Sequence, residues 1–341
     1  MRGGGALPPH INNPSHSSYL LKTRFIFHII SDYIASYHLK KLRFLESFLN
    51  ISIQTHIIDS NSFQNLVPWG EGQNYTTYYR LKIASLLPQH IDKCIYLDCD
   101  MILNADIREL YAIALQEHIC AVVGEERTFE QPMVALPNNE HFSIKTKYSF
   151  NAGLLLLNLK KWREHNIESK LFALLQKVVL TDQDALNIVF NDNIIMLDTR
   201  WNCFPVLLQQ QPSTAWHHIF KDEANEVSKP TTSLTRAEYE EVCKEAKIIH
   251  FGGPKPWQKK AYDFPDIAMW NLKRWYFRLW WINAACTPFY RDISWHILEL
   301  DKRGIKNRLY DFIKLPDKIQ RLGRKYLKNL MKNHNIKKDN P

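Results

Sequence analysis

The sequence lacks any hydrophobic run long enough to cross a membrane as a helix. Its apolar runs, such as residues 25–30 and 154–157, fall far short of the roughly 20 residues that a membrane span needs. The N-terminus carries three glycines at positions 3–5 and prolines at 8, 9 and 14 in place of a signal-peptide core. We therefore expect a chain that neither spans a membrane nor is exported.

Cysteine is sparse and irregularly spaced. The six cysteines, at positions 94, 99, 120, 203, 243 and 286, form no Cys-x-x-Cys pair. Neither a zinc ribbon nor a secreted disulfide framework is indicated by such spacing. We expect reduced thiols and a cytoplasmic protein.

Excess positive charge is absent from most of the chain and is confined to its tail. The 341 residues carry a net charge of +9. Residues 301–341 contain 13 Lys and Arg against four Asp, which is 13 − 4 = +9, so the first 300 residues are balanced. A basic tail predicts an anionic partner, which is nucleic acid, phospholipid or a phosphorylated glycan.

Aromatic residues crowd the segment before that tail, interleaved with Lys and Arg. They are Trp270, Trp275, Tyr276, Phe277, Trp280, Trp281, Phe289, Tyr290 and Trp295. This composition is typical of a membrane interface, and an amphipathic helix is predicted over residues 318–332. We expect residues 262–341 to bind an anionic membrane surface and not nucleic acid, for which no motif is present. The alternative is that several of these rings pack in a core.

Strand-length apolar segments alternate with helix-length periodic segments from residue 25 onward. Strands are predicted at 25–30, 51–58, 93–97, 121–123, 194–197 and 247–251, helices at 39–49, 77–86, 107–115, 168–177 and 182–190, and a further apolar run lies at 153–159. This order predicts an α/β fold. We expect an irregular segment over residues 1–21, one catalytic domain over 22–261, and a helical basic extension over 262–341.

Two carboxylates follow the predicted strand at 93–97. Asp98 and Asp100 share one face of an extended segment, so both can reach one divalent cation. In an α/β sheet, ligands gather at the carboxyl ends of strands. The motif is common by chance, and alone it is weak evidence for a site.

Five motifs, each weak alone, occur in an order and at distances that resemble one enzyme family. They are Tyr78-Tyr79-Arg80-Leu81, Asp98-Cys99-Asp100, the Ser-Phe-Asn-Ala-Gly segment from Ser149, Thr181-Asp182-Gln183-Asp184, and His250-Phe251-Gly252-Gly253-Pro254-Lys255-Pro256-Trp257. Together they resemble the retaining glycosyltransferases of family 8, which include bacterial lipopolysaccharide galactosyl- and glucosyltransferases. The resemblance runs from about residue 25 to 257 and implies a GT-A, Rossmann-like fold.

The resemblance also implies the activity and its ligands. It implies transfer of galactose or glucose from UDP-galactose or UDP-glucose to a lipopolysaccharide or related lipid-linked glycan, on the inner face of the cell membrane. It implies that Mn²⁺, or Mg²⁺, is held by Asp98, Asp100 and His250, and an imidazole ligand favours manganese. The residues implied in donor binding are Arg80, Asp98, Asp100, Asn151, Ala152, Asp182, Gln183, Gly253 and Lys255.

For catalysis the resemblance points to Asp182 and Gln183, with Asp184 as a further carboxylate close by in the sequence. Because an amide is a poor nucleophile, we favour front-face attack by the acceptor hydroxyl with the leaving phosphate as base, and a covalent route stays open. As alternatives, His250 is a core histidine, and the segment from Thr181 to Asp184 is a capped helix N-terminus.

The family's first strand has no evident counterpart in this sequence. Residues 27–32 resemble the second strand, and residues 1–21 are too polar and proline-rich to form a strand in the middle of a sheet. We expect a sheet without that strand. The alternative to an active enzyme is therefore an N-terminally shortened, inactive member that acts as a membrane-associated binding protein.

Overall fold

The computed structural model describes residues 23–68, 74–135, 138–205, 234–252, 255–258 and 267–294. This part of the chain divides into two compact units. The first contains the described residues up to Asp98, Asp106–Thr199 and Leu234. The second contains Cys99–Ala105, residues 200–205, and the described residues from Thr235 onward.

The elements alternate in the manner of an α/β protein. The strands are β1 Phe25–Ser31, β2 Ile51–Ile57, β3 Lys93–Leu97, β4 Met101–Leu103, β5 Cys120–Val122, β6 Gly124–Ala135, β7 His141–Phe150, β8 Leu154–Asn158, β9 Val178–Val179, β10 Ile194–Met196 and β11 Ile248–His250. The α-helices are α1 Ser36–Leu45, α2 Ile83–Leu86, α3 Ile107–Tyr111, α4 Leu159–Glu164, α5 Ile167–Leu175, α6 Asp182–Phe190, α7 Arg236–Lys244 and α8 Ile267–Ala285. Short 3₁₀ helices occupy Ser60–Phe63, Thr76–Lys82 and Thr199–Asn202.

The first unit is built around a four-stranded sheet in the order β10-β5-β8-β3. Its β8 strand runs antiparallel to both β5 and β3, and its four consecutive leucines are at most 1% exposed. A strand that buries both faces is expected to be a continuous apolar run. Strand β3 ends at Leu97, so the chain leaves this sheet at Asp98.

Two smaller sheets complete the first unit. Strands β1 and β2 form a parallel pair in which Phe25 lies opposite Ile51, and in the described part of the chain β1 pairs with β2 alone. The long β6–β7 hairpin pairs with β9 on its other side. The sequence analysis did not predict this hairpin, because residues 124–131 contain four charged residues and no alternating apolar pattern.

The second unit contains the antiparallel pair β4–β11, in which Met101 lies opposite His250. Helix α8 buries Tyr276 and Phe277, which are 6% and 5% exposed, while Ile282 is 52% exposed. These two aromatic rings therefore belong to a core, as the alternative interpretation held. Among the described residues, no helix combines the length and apolar character that crossing a membrane requires.

Several predicted helix ends differ from the observed ones. The helix predicted at 39–49 is α1, which ends at Leu45, and the helix predicted at 107–115 is α3, which ends at Tyr111. Residues 1–21 and the predicted helix at 318–332 lie outside the described residues, so those expectations stay predictions.

Candidate functional site

In the first unit, Arg80 joins two carboxylates. Its Nη2 lies 3.0 Å from Oδ1 of Asp98, and its Nε lies 2.9 Å from Oδ2 of Asp182. Its Nη1 donates to the Ala152 carbonyl oxygen at 2.6 Å. The planar guanidinium suits such simultaneous contacts because its donors diverge at fixed angles. Arg80 thereby connects the end of β3, the segment after β7 and the start of α6.

The same cluster contains Tyr96, which the sequence analysis missed. Its hydroxyl donates to Oδ1 of Asp98 at 2.6 Å, and the Arg80 guanidinium lies 4.8 Å from the centre of its ring. Residues two apart on a strand point to the same face. The alternation on β3 was therefore a signal that could have identified Tyr96 as a neighbour of Asp98.

Gln183 connects helix α6 to the Asn151-Ala152 segment. Its Oε1 accepts hydrogen bonds from Nδ2 of Asn151 and from the Ala152 backbone N–H, both at 3.0 Å. Asn187, one turn later, accepts from the Phe150 N–H at 2.8 Å and donates to the Phe150 carbonyl at 2.9 Å. Five of the sequence-predicted donor-binding residues of this unit are thus held in one network with Arg80, namely Asp98, Asn151, Ala152, Asp182 and Gln183.

Helix α6 begins with a capping box, which is the structural alternative raised for this segment. The Thr181 hydroxyl accepts from the Asp184 N–H at 3.1 Å, and it donates to Oδ2 of Asp184 at 2.7 Å. Such a box satisfies backbone donors that have no partner within the helix. The Asp184 carboxylate therefore contacts Thr181, while Asp182 and Gln183 are the first two residues of the helix.

Asp182 is a buried carboxylate beside a cation. It is 6% exposed. Burial raises its pKa, the Arg80 charge opposes this, and the nearby Asp98 charge adds to it, so that the pKa lies above its ordinary value. A ligand that binds beside such a buried carboxylate can therefore change the hydrogen bonds that the carboxylate makes.

In the second unit, Asp100 and His250 face each other. Asp100 Oδ1 lies 3.1 Å from Nε2 of His250, and the Lys255 ammonium contacts Oδ2 of Asp100. Burial opposes ionisation of Asp100, but the hydrogen bonds and charges of His250 and Lys255 outweigh it and lower the pKa of Asp100 to about 2. Lys255 also donates to the Phe251 carbonyl at 2.5 Å.

The imidazole of His250 is oriented by Asn202. Its Nδ1 lies 3.0 Å from Oδ1 of Asn202, and both residues are buried, at 4% and 1% exposed. Because a side-chain carbonyl oxygen only accepts, Nδ1 carries a proton and donates it to Asn202. A hydrogen bond of this kind fixes the tautomer of metal-binding histidines. Carboxylate oxygen and imidazole nitrogen together fit a divalent cation.

The aromatic ring of Phe204 packs against the imidazole ring of His250. The two ring centres lie 4.4 Å apart. A Cβ atom at Gly252 would lie 2.6 Å from Cδ1 of Phe204, so a residue with a side chain would have to displace this ring. Neither Asn202 nor Phe204 had a signal in the sequence analysis, since only the sheet brings them to His250. Gly253 lies outside the described residues.

The family profile described as "Glycosyl transferase family 8" matches residues 11–261. The chain belongs to glycosyl transferase family 8. The match covers every motif on which the resemblance was based, and both clusters described above lie within it. The chain is therefore a glycosyltransferase by family.

Curated relatives of this family 8 member carry several names. It is 29% identical over 264 residues to the lipopolysaccharide 1,2-glucosyltransferase of Escherichia coli, covering 74% of this chain and 71% of that protein. It is 27% identical over 232 residues to general stress protein A of Bacillus subtilis, covering 63% and 72%. It is 29% identical over 185 residues to the lipopolysaccharide 1,3-galactosyltransferase of Salmonella typhimurium, covering 52% and 53%.

Among solved structures, the family 8 chain is similar to the bifunctional glycosyltransferase WbbM in its apo form. The TM-score is 0.55 at 18% sequence identity, over 80% of this chain and 51% of that one. The GT-A fold expected from the resemblance is confirmed.

Proposed function

We propose that this family 8 glycosyltransferase transfers galactose or glucose from a UDP-sugar to a lipopolysaccharide or a related surface glycan, with retention of configuration and with a divalent cation. Family membership supports group transfer. The names of two relatives, a lipopolysaccharide glucosyltransferase and a lipopolysaccharide galactosyltransferase, support the acceptor and the hexose. We propose that the chain works on the cytoplasmic face of the cell membrane, where it meets a lipid-linked acceptor.

The observation that carries the proposal is the Asp100–His250 pair with its ring oriented by Asn202. We propose that these two residues, with Asp98 two positions earlier in the chain, hold Mn²⁺ or Mg²⁺. An imidazole ligand favours manganese over magnesium. When bound, such a cation neutralises charge on the departing diphosphate. We propose that Lys255 adds a positive charge to the same task and that Gly253 lets the backbone approach the diphosphate.

We propose that Arg80, Asn151, Ala152, Asp182 and Gln183 bind the donor sugar. The hydrogen bonds between them support a preorganised surface, because each side chain is held before a ligand arrives. Asp182 suits sugar hydroxyl groups, which donate to carboxylates.

The contacts of α6 also favour front-face attack over a covalent intermediate. Gln183 is an amide, and its Oε1 already accepts two hydrogen bonds. Asp184 is engaged by Thr181, and Asp182 by Arg80. We propose that the acceptor hydroxyl attacks from the side of the leaving phosphate, which takes its proton, while Asp182, Gln183 and Asp184 stabilise and position the sugar.

The test is hydrolysis of UDP-galactose and UDP-glucose by the full chain with and without Mn²⁺. We expect Asp100→Asn to lower the metal-dependent rate by at least about 100-fold, because it weakens a ligand and removes a charge. The matched control is Asp59→Asn, since Asp59 caps a short 3₁₀ helix and Asn caps equally well. A folded chain with neither turnover nor UDP binding would contradict the proposal.

A further inference from the structure

Two buried thiols of the second unit lie in direct contact. The Sγ atoms of Cys203 and Cys243 are 3.0 Å apart, and the two residues are 0% and 2% exposed. Both are free cysteines in this structure. A disulfide bond has an S–S length of about 2.05 Å, so an approach of about 1 Å would bring the two sulfur atoms to bonding distance.

The contact joins two elements that the proposed reaction does not use directly. Cys243 lies on α7, one residue before its end at Lys244. Cys203 follows Asn202, and its carbonyl oxygen accepts from the His250 N–H at 2.8 Å. Its own N–H donates to the Ile248 carbonyl at 3.0 Å. A bond between the sulfurs would therefore tie α7 to the segment that supports His250.

The surroundings keep the pair ordered. The Tyr239 hydroxyl lies 4.0 Å from Sγ of Cys203 and donates to the Phe204 carbonyl at 3.1 Å. The Tyr276 hydroxyl donates to the Cys243 carbonyl at 3.3 Å. The hydrogen bond with Cys243 and burial both raise the pKa of the Cys203 thiol. Both features favour the neutral thiol of Cys203, and because the thiolate is the reacting species, they slow attack by this sulfur.

We propose that Cys203 and Cys243 are a dithiol–disulfide pair. A low-molecular-weight disulfide such as oxidised glutathione is the oxidant. One of the two cysteines attacks it as a thiolate, which forms a mixed disulfide and releases one glutathione thiol. The second cysteine then attacks the mixed disulfide and releases the second glutathione. The two cysteines lose two electrons and two protons in total, and the oxidant becomes two thiols.

The chain contains its own negative control in the first unit. Cys94 on β3 and Cys120 on β5 both lie opposite Leu157 of β8, one on each side. Neighbouring strands are about 4.8 Å apart, so these cysteines are separated by about 9.6 Å across β8. That exceeds the roughly 7 Å between Cα atoms that a disulfide tolerates. Cys120 is 0% exposed and Cys94 is partly buried, so both cysteines of this pair are shielded from solvent, but they lie too far apart to bond.

The test is peptide mapping of the full chain after equilibration with reduced and oxidised glutathione at increasing oxidising ratios. Remaining thiols are alkylated under denaturing conditions after acid quenching. We expect one cross-linked peptide pair joining Cys203 to Cys243, with Cys94 and Cys120 alkylated. Exposed Cys286 serves as the positive control for oxidant access, because we expect an exposed thiol to form a glutathione adduct.

The proposal is overturned if Cys203 and Cys243 are both alkylated at a ratio that fully converts Cys286. It is equally overturned if the cross-linked peptide joins other cysteines. A second measurement uses Cys243→Ser, for which we expect no cross-link at any ratio; a mixed disulfide of glutathione at Cys203 would identify Cys203 as the attacking thiol, and an alkylated Cys203 would identify Cys243. The mapping on the unaltered chain decides the question even if this variant folds poorly.

Discussion

Arg80 is the residue on which the first-unit cluster depends most. Its side chain is 11% exposed, and those of Asp98 and Asp182 are 24% and 8% exposed. Removing one partner of a buried ion pair is costly because the charge that remains has lost its compensation. Here two carboxylates would remain, and the Asp98 charge already raises the pKa of Asp182.

We expect Arg80→Met to lower the free energy of unfolding by about 3–5 kcal/mol. The variant Asp182→Asn removes one of the two uncompensated charges. The double variant Arg80→Met/Asp182→Asn should therefore lose at least about 1 kcal/mol less free energy of unfolding than the sum of the two single variants. Urea unfolding of the four proteins measures this coupling.

The control pairs Asp182→Asn with Arg163→Met. Arg163 donates to backbone carbonyls, including those of Ala84 and Ile91. The free-energy cost of Arg163→Met should add to the cost of Asp182→Asn without a coupling energy. Equal coupling energies in the two cycles would contradict the role given to Arg80.

His28 and His56 lie side by side on β1 and β2. Their Nδ1 and Nε2 atoms are 2.9 Å apart. Burial lowers the pKa of both below the ordinary 6.5, and the His56 charge lowers that of His28 further. The folded chain therefore binds fewer protons than the unfolded chain as these histidines titrate. The free energy of unfolding consequently keeps its full value above pH 6.5 and decreases as the pH falls below 6.5.

We expect the free energy of unfolding to fall more steeply between pH 7 and pH 5.5 in the unaltered chain than in His56→Asn. His90→Asn, at an exposed position, should leave the slope unchanged. Denaturant unfolding at several pH values measures the slopes, and identical slopes in the unaltered chain and His56→Asn would refute the expectation.

At the scale of elements, the N-terminus of α6 decides where Asp182 and Gln183 lie. We expect Thr181→Ala to cost about 1 kcal/mol, because it removes the cap. It should also slow UDP-sugar hydrolysis, since the first two residues of the helix lose their support. Unfolding curves and initial rates measure the two effects.

A matched variant exists in the second unit. Thr235 caps α7 with Glu238 in the same capping box. Thr235→Ala should cost a similar free energy while leaving hydrolysis less affected, when both variants are compared well below their Tm. If the two variants slow hydrolysis equally, the loss of rate follows from stability and not from the position of α6.

Elements with local signals were predictable from the sequence. Strand β3 and helix α6 occupy the predicted ranges 93–97 and 182–190, because an apolar run ends at Asp98 and a capping residue precedes Asp182. The β6–β7 hairpin was not predictable, since residues 124–131 contain four charged residues and no alternating apolar pattern. Likewise Asn202 reaches His250 only through the tertiary pairing of β11 with the segment at Cys203, which leaves no trace in local spacing.

At the scale of the whole molecule, the first 300 residues are neutral overall and the excess positive charge lies in the tail. The net +9 resides in residues 301–341, outside the described residues. We expect the full chain to sediment with vesicles containing phosphatidylglycerol and to remain free with pure phosphatidylcholine vesicles. Each basic residue near an anionic surface contributes about 1 kcal/mol, and salt screens this attraction.

The decisive variant replaces six basic residues of the predicted tail helix by Gln. They are Lys318, Arg321, Arg324, Lys325, Lys328 and Lys332. We expect this variant to lose vesicle binding at least about 100-fold, since six contributions of this size are removed, and to keep its rate of UDP-sugar hydrolysis in solution. Equal vesicle binding by both chains would refute the tail as the membrane-binding segment. Release of the unaltered chain from cell membranes by nuclease would instead identify nucleic acid as the anionic partner, because nuclease leaves phospholipid intact.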